Sequence, residues 1–98
     1  MYLHFAEMAI KAIEIRVYGK VQGVWFRKYT MQKAKELGVS GFVKNQPDGS
    51  VCIHAEGDEQ VLEALTEWCY KGSPQARVTR VETSSVKPLG VGTFEIRY

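Results

Sequence analysis

Ile13-Glu14-Ile15-Arg16-Val17-Tyr18 runs into Gly19-Lys20-Val21-Gln22-Gly23-Val24-Trp25-Phe26-Arg27, and this join decides the fold. Ile13, Ile15 and Val17 alternate with Glu14, Arg16 and Tyr18, the period-two pattern of a half-buried strand. The strand stops at a loop bracketed by two glycines, and a helix opens at about Phe26 with an arginine in its first turn. A helix start leaves its first amides without partners and carries the positive end of the helix dipole. A glycine loop placed there aims several N–H groups at one point, and Arg27 adds a planar fork of donors suited to phosphate oxygens. The stretch reads as a small anion cradle, lined by the amides of Gln22, Gly23, Val24, Trp25, Phe26 and Arg27.

Outward from the join, helical spacing of Phe26, Tyr29, Thr30, Lys33, Ala34 and Leu37 predicts a helix over about Phe26 to Leu37, with Gly38 as its left-handed stop. A strand follows at about Gly41 to Gln46, then the turn Pro47-Asp48-Gly49-Ser50, in which proline presets φ and glycine tolerates a positive one. The next strand, about Ser50 to Glu56, points Val51, Ile53 and Ala55 one way and Cys52, His54 and Glu56 the other. Asp58 is placed to cap a second helix, about Glu59 to Lys71, whose apolar stripe is Val61, Leu62, Leu65, Trp68 and Cys69. Gly72-Ser73-Pro74 ends it. Strand pattern returns from Ala76 to Val86 and, after Pro88-Leu89-Gly90, from Thr93 to Tyr98. The order βαββαβ plus a short fifth strand predicts an α+β, ferredoxin-like sandwich: an antiparallel sheet with both helices on one face.

That topology brings a second residue to the cradle. The helical crossover makes the second strand run in the same direction as the first, so Asn45 lies at the sheet edge that carries the loop. Val43 and Asn45 share a strand face. With Val43 under the helices, Asn45 points to the helix side; a strand lying between the two in the split arrangement adds about 5 Å per spacing, a gap within reach of the loop and an extended Arg27 side chain.

Composition narrows the class. Ninety-eight residues suffice for one core, and 45% hydrophobic with 24% charged is ordinary for a globular domain. Residues 1–11 do not join the periodic pattern and read as an N-terminal extension, with Met1 to Met8 expected to be loosely held; residues 12–98 form the domain. A net charge of +2 is too mild for a nucleic-acid or membrane-surface binder. Cys52 and Cys69 form no metal-binding spacing, and face parity puts them in different layers, so two free thiols in a reducing, cytoplasmic compartment are expected. A monomer is expected, and no metal or cofactor is implied.

The chemistry follows from what the cradle lacks. It has no nucleophilic thiol, no histidine base and no carboxylate pair, which would be crippling for an alkyl phosphate ester. An acyl phosphate expels a carboxylate whose conjugate acid has a pKa of about 4, so no general acid is needed. Arg27 and the loop amides would hold the phosphoryl group, or a phosphate or sulfate ion in its place. Asn45 would orient the attacking water without acting as a base.

Gly19-x-Val21-Gln22-Gly23-Val24-x-Phe26-Arg27, then Gly41-x-Val43-x-Asn45-x-x-x-Gly49-x-Val51 and Gly92-Thr93-Phe94-Glu95-Ile96-Arg97-Tyr98, resembles the acylphosphatase family from about Ala12 onward. The resemblance implies a small, usually cytosolic, cofactor-free hydrolase of acyl phosphates, with Arg27 and Asn45 as its catalytic pair. Phe42 and Gln46 depart from the family's commonest residues, Trp and Thr. Two other classes share the plan. One is an RNA-binding module, with Tyr18, Phe42 and His54 as a stacking platform on an open sheet face. The other is a non-catalytic domain of the kind that opens larger carbamoyl-handling proteins.

Overall fold

The computed structural model describes residues 10–98. Its elements, in chain order, are β1 (Lys11–Lys20), α1 (Phe26–Leu37), β2 (Ser40–Asn45), β3 (Val51–Gly57), α2 (Glu59–Lys71), β4 (Arg77–Val86) and β5 (Phe94–Arg97). Both helices keep their expected bounds. The expected N-terminal extension lies outside the described residues through Ala9; Ile10 precedes β1 and Lys11 opens it.

The five strands form one sheet in the order β4-β1-β3-β2-β5. β3 stands between β1 and β2, pairing antiparallel with both, and β4 is antiparallel to β1. β5 departs from the expected uniformly antiparallel sheet, because it pairs parallel with β2. β4 and β5 occupy opposite edges, so the chain between them crosses the whole width of the sheet and re-enters in the direction of β2.

One face of the sheet meets both helices. Ile15, Val17, Val43, Val51, Ile53 and Ala55 form a single buried cluster with Ala34, Leu62, Leu65 and Cys69. α2 is closed at its start by Asp58, whose carboxylate accepts from the Val61 N–H at 3.0 Å. Each buried Leu or Ile in this cluster contributes roughly 1.5–3 kcal/mol relative to exposure, which is what holds the short elements together.

Beyond the helix-facing core, β3 is buried along its entire length, on both faces. Sequence parity sends Cys52, His54 and Glu56 away from the helices, and they are nonetheless covered. Glu14 accepts from the Cys52 thiol at 3.1 Å, and the Glu56 carboxylate accepts from the Leu89 N–H and, at 3.1 Å, from that of Gly90. Phe42 stacks on His54, with ring centroids 5.3 Å apart and planes 15° from parallel. The stacking platform imagined for RNA is thus occupied by the protein's own side chains. Cys52 and Cys69 are free thiols.

Gly19 fixes how β1 leaves the sheet. Its φ of 122° coincides with a register shift against β4, and a Cβ there would stand 2.1 Å from the Arg77 carbonyl oxygen. Only glycine lets the loop begin so close to β4.

Candidate active site

The loop between β1 and α1 is pinned from below by alternate side chains. Val21, Val24 and Phe26 are at most 4% exposed and belong to the core. Phe26 packs on Trp68 at 5.6 Å with a tilt of 50°, an aromatic pair worth about 0.5–1.5 kcal/mol beyond its buried area. Between these anchors Gly23 and Trp25, and just after them Arg27, turn outward and line a cleft of about 550 Å³.

The backbone between the anchors is left-handed at two positions. Gly23 has φ 73°, ordinary for glycine. Trp25, the residue before α1, has φ 62° and ψ 20° and is the one non-glycine residue with positive φ among those described. A bulky side chain in that region costs about 1–3 kcal/mol, and such strain persists only where the surroundings impose it. The outcome is a run of amides, Gln22 through Lys28, for which no acceptor occurs among the described residues; the helix ladder starts only with Tyr29 N–H to the Trp25 carbonyl at 3.1 Å. α1 has no capping side chain and no acidic residue in its first turn.

Gln22 does something the sequence reading missed. Its side-chain amide donates to the carbonyls of Gln46, at 2.8 Å, and Ser50, at 2.9 Å. It therefore ties the loop to the β2–β3 turn, where Asp48 accepts from the Ser50 N–H at 2.9 Å and hydroxyl at 2.6 Å. Those bonds, the hydroxyl's first, hold the Asp48 carboxyl below its ordinary range. The bracing sets Asn45, just before the turn, against the same cleft. The Val24 side chain lies in the core beneath the loop, so what it can offer the cradle is its amide, as expected.

Arg27 and Asn45 are brought together as topology required: both line the cleft with Gly23, Trp25, Phe26, Lys28, Met31, Ile96 and Tyr98. The Arg27 guanidinium donates to the Arg97 carbonyl at 3.3 Å and lies over the Tyr98 ring at 4.7 Å. Asn45 Oδ1 is buried and finds no donor among the described residues, which costs about 1–3 kcal/mol unless something outside the chain donates to it. Of the cleft residues unassigned from sequence, Met31 stands one helical turn after Arg27 and Ile96 follows Phe94 by strand alternation, so spacing could have found them.

No thiol competes for the chemistry. Burial and, next, the bond to Glu14 push the Cys52 thiol up to about 11, and burial pushes Cys69 up to about 12. Neither is a thiolate near neutral pH.

A family match accompanies this geometry. The acylphosphatase family model covers residues 13–96. The chain belongs to the acylphosphatase family. An acylphosphatase of Thermotoga petrophila is 51% identical over 89 residues, 91% of this chain and 99% of that protein. Among solved structures, an acylphosphatase from Coxiella burnetii superposes with a TM-score of 0.86 at 39% identity, covering 90% of this chain and 93% of the other. The acylphosphatase of Bacillus subtilis gives 0.86 at 37% identity, covering 92% and 100%. The βαββαβ plan, the glycine loop and the position of Asn45 are thus read in a family setting.

Proposed function

We propose that this acylphosphatase-family chain hydrolyses acyl phosphates by direct attack of water on phosphorus, with Arg27 and Asn45 as its catalytic residues. The observation that carries the reading is the run of unpartnered amides from Gln22 to Lys28 beside the Arg27 fork. Donors left unspent inside a folded protein suit an anion, and here the residues that carry most of them, Gly23 and Trp25 to Lys28, line the cleft of about 550 Å³. Positioning and charge compensation supply most of the catalysis in phosphoryl transfer.

The loop amides and Arg27 hold the three non-bridging oxygens. Asn45 Oδ1 accepts from the attacking water and aims its oxygen at phosphorus. As that O–P bond forms, the bond from phosphorus to the bridging oxygen breaks and the carboxylate leaves with the electron pair. The water's proton passes to a phosphate oxygen, giving carboxylate and dihydrogen phosphate. No group on the protein must exchange a proton, and no carboxylate side chain, histidine or cysteine stands among the described residues that line the cleft. Trp25, Met31, Ile96 and Tyr98 supply apolar walls for the acyl group.

The buried, unpaired thiols support a reducing, cytoplasmic setting, and the same reading takes the chain to act as a monomer without a cofactor. The occupied sheet face and mild net charge argue against a nucleic-acid partner. Among the described residues no helix is long and apolar enough to cross a membrane.

Release of inorganic phosphate from benzoyl phosphate, with EDTA present, tests the reading. Saturable release far above the spontaneous rate is expected. Release no faster than spontaneous hydrolysis would refute it.

A further inference from the structure

We propose that Phe42 and the Arg97 side chain are positioning residues, holding Arg27 in place from the opposite face of the sheet. The inference rests on the reading that Arg27 binds the phosphoryl group, and adds residues that never touch substrate.

The Arg27 guanidinium takes its bearing from the Arg97 carbonyl, a solvent-exposed contact whose 3.3 Å lies just beyond the usual N–H···O range. Taken alone, that carbonyl is a poor reference point. It ends β5, a four-residue edge strand with β2 on one side only, and such ends open readily. Something must hold the strand end still.

The other side of the sheet supplies it. The Arg97 guanidinium lies 3.8 Å from the centroid of the Phe42 ring. Phe42 faces Glu95 directly across the β2–β5 ladder, so Arg97 is its diagonal neighbour, within reach of a long side chain. Phe42 cannot drift, because its other side stacks on His54. His54 is held by Glu56 at 2.6 Å, with side chains 9% and 3% exposed, and Glu56 also fastens the Leu89 and Gly90 amides of the crossing segment. A continuous column therefore runs from that segment through Glu56, His54 and Phe42 to Arg97, and by its carbonyl to Arg27. Every link is a contact of stated geometry, and the last one lies at the cleft.

The cation–π contact is the link that can be tested alone. Phe42→Leu keeps an apolar group in place but removes the ring face, whereas Phe42→Trp offers a stronger one. Arg97→Met keeps the carbonyl and removes the charge. For Phe42→Leu and for Arg97→Met we expect the inhibition constant of inorganic phosphate and the KM for benzoyl phosphate to rise together, by about threefold to tenfold, with kcat changing less. The double variant should be no worse than either single one, since both break the same contact. Phe42→Trp should restore the native constants. Glu95→Gln is the control, because Glu95 is the other partner of the Arg97 guanidinium, at 3.4 Å, and its loss should leave phosphate inhibition unmoved.

Thermal melting separates position from packing: a packing role alone would lower the melting temperature and leave the phosphate constant where it was. That result, or additive effects in the double variant, overturns the proposal even if Phe42→Leu folds poorly, because Arg97→Met alters an exposed side chain. An inactive native protein would instead refute the acyl phosphate reading itself.

Discussion

The two helices begin in opposite ways. α2 is closed by its own sequence: Asp58, with φ −75° and ψ 166°, accepts from the Val61 N–H, and Glu59 places a negative charge in the first turn. α1 begins at Trp25 in the left-handed region, without a side-chain cap and with Arg27 and Lys28 where acidic residues would suit the dipole. By propensity and capping α1 should be the weaker start. It is held instead by Val21, Val24 and Phe26 buried beneath it, so tertiary packing stabilises what local chemistry leaves open. One helix spends its terminal amides on folding, and the other leaves them without partners among the described residues.

The largest effects should come from the side chains that complete the open end. Arg27→Gln removes the only fork among the unspent donors and should lower kcat/KM by about a thousandfold or more, the scale of an arginine acting on a transferring phosphoryl group. Asn45→Ala should lower kcat by about a hundredfold to a thousandfold with less change in KM, because water placement counts in the transition state. Phosphate release from benzoyl phosphate measures both. Near-native kcat in either variant would leave that residue without its role.

A sharper test makes α1 begin as α2 does. Trp25→Asp puts a carboxylate at the open start, and Trp25→Asn is its neutral counterpart; both tolerate the left-handed backbone better than tryptophan. The Asp variant should bind inorganic phosphate about tenfold more weakly than the Asn variant at low salt, from charge repulsion and from competition for the amides. Its melting temperature should equal or exceed that of the native chain, since strain is relieved and the dipole is answered. Equal phosphate affinity in the two variants would show that the amides are not what binds the anion.

How much of this was legible without coordinates depends on the range of the interaction. The helix bounds, the Asp58 cap and the Gly38 stop are local and were readable from residue type. The meeting of Arg27 and Asn45 followed from the crossover and from face parity, with β3 between them as anticipated. Three features were not readable. The left-handed Trp25 has no residue-type signal, because tryptophan avoids that conformation and is forced into it by Val24 and Phe26 on either side. Gln22 looked like one more cradle residue, and its brace to Gln46 and Ser50 depends on two loops approaching in space. The burial of His54 and Glu56 depends on the path of the segment before β5, which pattern alone could not route beneath the strand ends. Family resemblance supplied the roles of Arg27 and Asn45 but said nothing of these three.

The smallest expected effect falls at the closed helix. Asp58→Ala removes the cap of α2 and should cost about 1 kcal/mol, which for a domain of this size lowers the melting temperature by about 4–8 °C. Asp58 is exposed and lines no part of the 550 Å³ cleft, so kcat and KM for benzoyl phosphate should stay at native values. The argument needs both halves. If the α2 start is purely structural, its loss is read by calorimetry and not by turnover, whereas the Trp25 pair is read by phosphate affinity with stability steady or raised. A fall in turnover at constant stability for Asp58→Ala would mean the two helix starts are coupled, and that the division of labour between them does not exist.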